Sequence, residues 1–318
     1  MASPSSSDAP QSHLTMASAT GPAVVAVGGG HGLSASLRAV RRYASSITAV
    51  VSVADDGGSS GALRAELPHL PAPGDVRRCL GALAEEGSPF GRVLEHRFGE
   101  GDLEGHALGN LLLVALALEL GSFSAAVDEV ALRVGAVGRV LPATLGPVEL
   151  QGWCSGSDAA LGVIGEIHGQ VAVQNTTGIF EVRLSPEEPA SSPEVGWAIS
   201  AADQVVIGPG SLFTSVLATA IVPAVHEALI TTSAPRVYVA NLAPQVPETE
   251  GFDVADEVAA LARHGVPIDV VLVDPGRTLG TLAGPSPSVP VVVHPLRGAR
   301  GAVHDPVLLG DALAALST

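Results

Sequence analysis

The chain has 318 residues, 47% of them apolar and 15% charged, with a net charge of −16 at neutral pH; these proportions are those of a globular protein long enough to bury a large core. So acidic a balance excludes a polynucleotide partner, whose phosphates demand a basic face. All 16 basic residues are arginines, which excludes Schiff-base lysines and the lysine-bearing phosphate loop, so a bound phosphate is held by amides, hydroxyls or arginine.

Residues 1–20, rich in Ser, Ala and Pro, predict a disordered tail rather than a signal peptide. No apolar run is long enough to span a bilayer, so no transmembrane segment and a cytoplasmic location are expected. Residues 21–318 read as one nucleotide-binding domain with an insertion at about 75–184. The first strand, Val24 to Val27, runs into Gly28-Gly29-Gly30-His31-Gly32-Leu33-Ser34, and Gly30 to Ala35 fits the G-x-G-x-x-G/A pattern. A helix from Ala35 to Tyr43 then turns its N-terminal amides to a phosphate. The second strand, Ile47 to Val53, runs into Asp55-Asp56-Gly57-Gly58-Ser59-Ser60-Gly61, whose carboxylates fall where a dinucleotide fold places its ribose acceptor. Those carboxylates suit a metal ion equally well.

Inside the insertion, Pro73 to Cys79 is a turn whose Asp75 can cap the following helix. Arg77 and Arg78 are either site cations or a solvated basic face. Asp75 to Val134 predicts several helices. His106 reads as a hydrogen bonder at a helix start. Gly109-Asn110 lies just inside an apolar helix; the glycine costs about 1 kcal/mol there, which implies close approach of a ligand or a neighbouring helix. Gly138 to Leu184 predicts shorter strands, Val148 to Trp153, Gln170 to Gln174 and Ile179 to Leu184, forming a side sheet or flap. Ser185 to Glu194 and Pro285 to Pro290 read as exposed loops. Cys79 and Cys154, the two cysteines, are too few for a disulfide framework and read as small buried apolar residues.

Further core strands are Gln204 to Ile207, Arg236 to Ala240, Ile268 to Val273 and Val289 to Val293. The first of these enters Gly208-Pro209-Gly210-Ser211-Leu212-Phe213-Thr214-Ser215, a turn opening a helix, whose amides and the hydroxyls of Ser211, Thr214 and Ser215 suit a diphosphate. The next enters Asn241 to Thr249, either a reader of base or sugar or a polar connection. Short β-branched runs alternating with Ala/Leu-rich helical stretches predict an α/β, Rossmann-like, doubly wound and mainly parallel sheet with a helical and small-sheet insertion. The glycine turns then share its carboxyl edge, where open α/β sheets bind ligands.

The strings Gly28 to Ser34, Asp55 to Gly61, Pro73 to Cys79, Gly105 to Leu113, Gly208 to Ser215 and Asn241 to Gln245 resemble, in order and spacing, the YvcK-like gluconeogenesis factor family. That family belongs with the 2-phospho-L-lactate transferases of coenzyme F420 synthesis, and the resemblance spans residues 22 to 315. It implies a regulator that binds UDP-N-acetylglucosamine or UDP-glucose, with no required cofactor and no catalytic residue. It also implies a role in cell shape and wall-precursor supply on gluconeogenic carbon, a regulated enzyme of precursor synthesis as partner, and a homo-oligomer. The transferase relatives bind a guanosine diphosphate compound and a deazaflavin with Mg2+ and an aspartate of the second loop, here Asp55 or Asp56. Two departures stand out: His31 where threonine is common, and Ala243-Pro244 where relatives often have Met-Thr. A nicotinamide dehydrogenase is the third reading, and no residue offers itself as its hydride-side acid.

Overall fold

A computed structural model of the chain describes residues 20–155, 164–280, 289–299, 301 and 303–317. In chain order its elements are β1 (Ala23–Gly28), α1 (Gly30–Val40), β2 (Ser46–Val51), α2 (Gly58–Glu66), α3 (Gly74–Leu83), α4 (Pro89–Leu94), α5 (Leu108–Leu120), α6 (Phe123–Val134) and β3 (Arg139–Pro142). Next come β4 (Glu149–Ser155), β5 (Ile164–His168), α7 (Gln170–Gln174), β6 (Ile179–Ser185), α8 (Pro193–Ser200) and β7 (Gln204–Ile207). The helical run α9 (Leu212–Ala220) follows, then α10 (Pro223–Thr231), β8 (Arg236–Val239), α11 (Val254–Arg263), β9 (Val270–Val273), β10 (Val291–Val293) and α12 (Pro306–Ala314).

Seven strands form one parallel sheet in the order β10-β9-β8-β7-β1-β2-β3. Val24 to Val27 are all at most 3% exposed although alternate residues point to opposite faces, so helices cover both sides. The chain builds outward from β1 through β2 to β3, then returns to place β7 against the other side of β1. Strand order therefore reverses between β1 and β7, the crevice where open α/β sheets hold ligands. Val27 pairs with both Val50 and Ile207, which brings the ends of β1, β2 and β7 level. The Rossmann-like expectation holds. Among the described residues no single helix is long and apolar enough to cross a membrane.

Several local expectations are corrected. The main sheet has a seventh strand, β3, because helices α3 to α6 lead the chain back to pair with β2. The side sheet exists as β5-β4-β6, all antiparallel, but Gln170–Gln174 is the short helix α7. The Asp56 carboxylate accepts the amides of Gln170 and Val171, both at 2.9 Å, and so caps a helix where alternation suggested a strand. β5 carries the third strand instead. Helix α1 begins at Gly30, not Ala35, since Gly30 takes φ +65° and the chain enters the helix within the glycine turn. Glu194 belongs to α8, with Pro193 in its first turn. Cys79 is buried as expected, whereas Cys154 is only partly so. The tail at residues 1–20 and the loop Pro285 to Pro290 lie almost wholly outside the described residues.

Candidate functional site

The four loops at the carboxyl edge surround one cleft of about 980 Å³, at the upper end of small-molecule sites. The first loop packs on the third. A Cβ on Gly32 would lie 2.2 Å from the Pro209 carbonyl oxygen, and the Ser36 hydroxyl donates to Gly208 O at 2.6 Å. Gly28 and Leu33 lie beneath this contact, Leu33 fully buried, and do not face the cleft. Gly29, Gly30, His31 and Gly32 do. Helix α1 opens there with Gly29 as its N-cap and no acidic residue in its first turn, and α2 opens likewise behind Gly57. Two helix N-termini thus bring partial positive charge to one space.

The second loop divides its two aspartates. Asp55 lines the cleft and accepts the Gly57 amide at 3.0 Å. Asp56 turns away to cap α7, so its carboxylate holds the side sheet against the loop. Gly57, Gly58 and Ser59 line the cleft beside Asp55.

Asp75 does not cap α3, whose N-cap is Pro73. It is buried in the first turn, accepts the Gly30 amide, and pairs with Arg78 at 2.7 Å. Burial first, and the charge of Asp55 second, push its carboxyl up to about 6. Arg77 is 1% exposed and reaches Glu95 at 2.6 Å, so the solvated-face reading fails for it. The close approach expected at Gly109 is a neighbouring chain segment: a Cβ there would meet Arg77 Cγ and Leu94 O, each at 2.8 Å. His106 lies behind the wall, with its Nδ1 3.2 Å from Ser59 Oγ, whereas Asn110 lines the cleft.

The third and fourth loops are tied to each other. Asn241 brackets Gly210, accepting its amide at 3.1 Å and donating to its carbonyl at 2.7 Å. The buried Glu248 accepts the amides of Phe213 and Thr214 at 2.7 and 3.0 Å, so its carboxylate already fills the anion position at the start of α9. Burial raises the Glu248 carboxyl against those hydrogen bonds. Gly210, Ser211, Thr214 and Asn241 still line the cleft, and Gly208 sits behind them.

The sequence reading missed several lining residues. Arg38 shares a helix face with His31 and Ala35, the spacing that would have revealed it; it has no hydrogen bond or ion pair among the described residues. Arg97 donates to Gly105 O at 2.7 Å. Arg297 pairs with Asp274 at 2.8 Å and also donates to Leu242 O. His304 is driven down to about 4 by burial, and His31 is lowered by burial and by Arg78. No spacing connects Arg297 or His304 to the glycine turns.

Five arginines (Arg38, Arg77, Arg78, Arg97 and Arg297) and two aspartates (Asp55 and Asp75) line the cleft; Arg77, Arg78 and Arg297 are paired with Glu95, Asp75 and Asp274, which leaves Arg38 and Arg97 as its cations without a carboxylate partner among the described residues. Asp55 and Asp75 adjoin across Gly74, whose Cβ would lie 2.5 Å from Asp55 Oδ2. Mg2+ takes one or two carboxylates and fills its shell with water and phosphate oxygens, so this pair fits it. Among the described residues no three His, Cys, Asp or Glu side chains converge.

A parallel sheet with a glycine-walled cleft at its switch point defines a Rossmann-like α/β protein, with the cleft where such sheets place their ligands. The chain belongs to the CofD family: residues 24–283 match the model described as 2-phospho-L-lactate transferase CofD. A Mycobacterium leprae protein named "Putative gluconeogenesis factor" is 45% identical over 264 residues, covering 80% of this chain and 73% of its own length. A Thermotoga maritima protein of the same name is 42% identical, covering 79% and 78%. The crystal structure of a UPF0052 family member from Bacillus halodurans superposes with a TM-score of 0.84 at 34% identity, covering 92% of this chain and 99% of that one.

Proposed function

We propose that the cleft binds a nucleotide sugar of the UDP-N-acetylglucosamine or UDP-glucose kind, and that the protein is a sensor of that ligand. In this reading it regulates an enzyme of cell-wall precursor synthesis, and so supports cell shape and precursor supply on gluconeogenic carbon. The observation that carries it is the concentration of arginines and two helix N-termini around one cleft of a chain with net charge −16. Such an arrangement suits a diphosphate held by amides and guanidinium groups without lysine. The α1 end is the better phosphate seat, because Glu248 already takes the amides at the start of α9. Titration calorimetry with UDP-N-acetylglucosamine, UDP-glucose, GDP and NAD tests this. A UDP-sugar should bind best, bind in the presence of EDTA, and be recovered intact; preference for NAD or no binding at all refutes it.

The pairing of Asp55 with Asp75 supports a second reading, an Mg2+-dependent transferase like the family's namesake. The two carboxylates would hold the ion, which would offset charge on a leaving diphosphate. Chelator-sensitive release of a nucleotide product would establish that reading against the first.

A further inference from the structure

Asn110 is 1% exposed and lines the cleft, yet its carbonyl Oδ1 has no hydrogen-bond partner among the described residues. A buried amide oxygen left unpaired costs on the order of 1–3 kcal/mol, so its orientation needs a cause. The cause lies beside it on the same wall, at Ser59. The Ser59 oxygen accepts the Ala107 amide at 3.3 Å and the Asn110 Nδ2 at 3.0 Å, which uses both of its lone pairs. Its one proton is then left for His106 Nδ1, 3.2 Å away, which accepts it in the imidazole tautomer protonated at Nε2. With that proton committed, Ser59 cannot donate to Asn110, and the amide is held with its nitrogen on Ser59 and its oxygen on the opposite side of the group. Were His106 to stop accepting, Ser59 would be free to donate to Asn110, and the amide would turn to present its NH2 instead. On the same wall Arg77, whose stem crosses Gly109, has an Nε donor that is likewise unpaired.

We propose that Asn110 is a specificity-determining residue that accepts a hydroxyl proton of the bound ligand, and that Ser59 and His106 are positioning residues that fix its acceptor face. The ligand class is a sugar hydroxyl, from the ribose or from the attached hexose. A wall that pairs an acceptor with a nearby donor matches a hydroxyl, which is both donor and acceptor. This inference rests on the nucleotide-sugar reading. His106 does not line the cleft, so its effect on ligand choice would pass through Ser59 and Asn110 alone.

The experiment compares UDP with 2′-deoxy-UDP, and UDP-N-acetylglucosamine with UDP, by calorimetry on the wild type, Asn110→Ala, His106→Ala and His106→Asn. The wild type should prefer the hydroxyl-bearing member of one pair by about tenfold; the first pair marks the ribose, the second the hexose. Asn110→Ala should bring that ratio close to one, and His106→Ala should lower it, with thermal midpoints confirming folded proteins. His106→Asn should restore it, because its side-chain oxygen takes the place of Nδ1. Wild-type ratios in Asn110→Ala for both pairs, or in His106→Ala, overturn the inference while leaving the nucleotide-sugar reading in place. A wild type that binds none of the three compounds refutes that reading and this inference together.

Discussion

Two glycines of the first loop, two residues apart, separate what the backbone needs from what the ligand needs. A Cβ on Gly32 would sit 2.2 Å from Pro209 O, 2.6 Å from Pro209 C and 2.7 Å from Gly210 Cα. All three are main-chain atoms, so no rotamer relieves the contact, and the first and third loops must part by about 1 Å to reach ordinary contact distance. Overpacking of this kind costs about 3 kcal/mol. At Gly30 the nearest atom to a Cβ is Ser215 Oγ at 3.8 Å, and the only penalty is the φ of +65°, worth about 1–2 kcal/mol for an L-residue. Each kcal/mol moves the midpoint of a domain this size by roughly 2–4 °C. Gly32→Ala should therefore melt about 6–12 °C below the wild type. Gly30→Ala should fall about 2–8 °C, yet lose UDP-sugar affinity through the methyl it adds to the cleft wall. Differential scanning calorimetry paired with titration calorimetry reads both quantities. A Gly32→Ala midpoint within 1 °C of the wild type, or one above that of Gly30→Ala, would refute the loop-on-loop contact.

Arg38, exposed and without a partner among the described residues, contributes nothing to the fold that its removal would expose. Arg38→Ala should keep its melting temperature but bind UDP-sugar about tenfold more weakly and with a shallower salt dependence. Asp56→Asn gives up part of the cap on α7, so hydrogen exchange at the Gln170 and Val171 amides should speed up while exchange in the main sheet stays unchanged. Asp75, raised to about 6 from 3.8, binds its proton more tightly in the folded state. Its contribution therefore falls as pH rises between those values, by about 3 kcal/mol in all. Urea unfolding from pH 4 to 6.5 should therefore show stability rising more steeply with pH in Asp75→Asn than in the wild type, by about that amount across the window. His304, lowered to about 4 from 6.5, runs the other way. Between those values the unfolded chain takes up a proton that the folded one excludes, so the His304 contribution is lost as pH falls, and the stability of His304→Gln should fall with rising pH more steeply than that of the wild type over the same window.

The strands of the main sheet were legible because a strand buried on both faces must be a short Val/Ile run, as Val24 to Val27 and Gln204 to Ile207 are. Glycines at their ends located the cleft for a related reason: only a residue without Cβ fits where Gly32 meets Pro209. What escaped was set by partners distant in sequence. Five residues from Gln170 cannot declare a period, and the carboxylate that makes them helical is 114 positions earlier. Asp56 was read as a ligand group because adjacency to Asp55 says nothing about which way each side chain turns. Glu248 took the amides assigned to a phosphate, and Arg297 joined the cleft through Asp274, neither with any local pattern to announce it.

The two walls of the cleft are braced unequally. On one side the first, third and fourth loops are cross-linked by Ser36, Thr219, Asn241, Glu248 and Arg297, each bonding a backbone group of another segment. On the other, the Asp56 carboxylate ties the second loop to α7, Arg64 of α2 donates to Val148 O just ahead of β4, and the Val182 amide of β6 donates to His264 Nε2. A ligand meeting the braced wall finds donors already in place and gives up little freedom to order them.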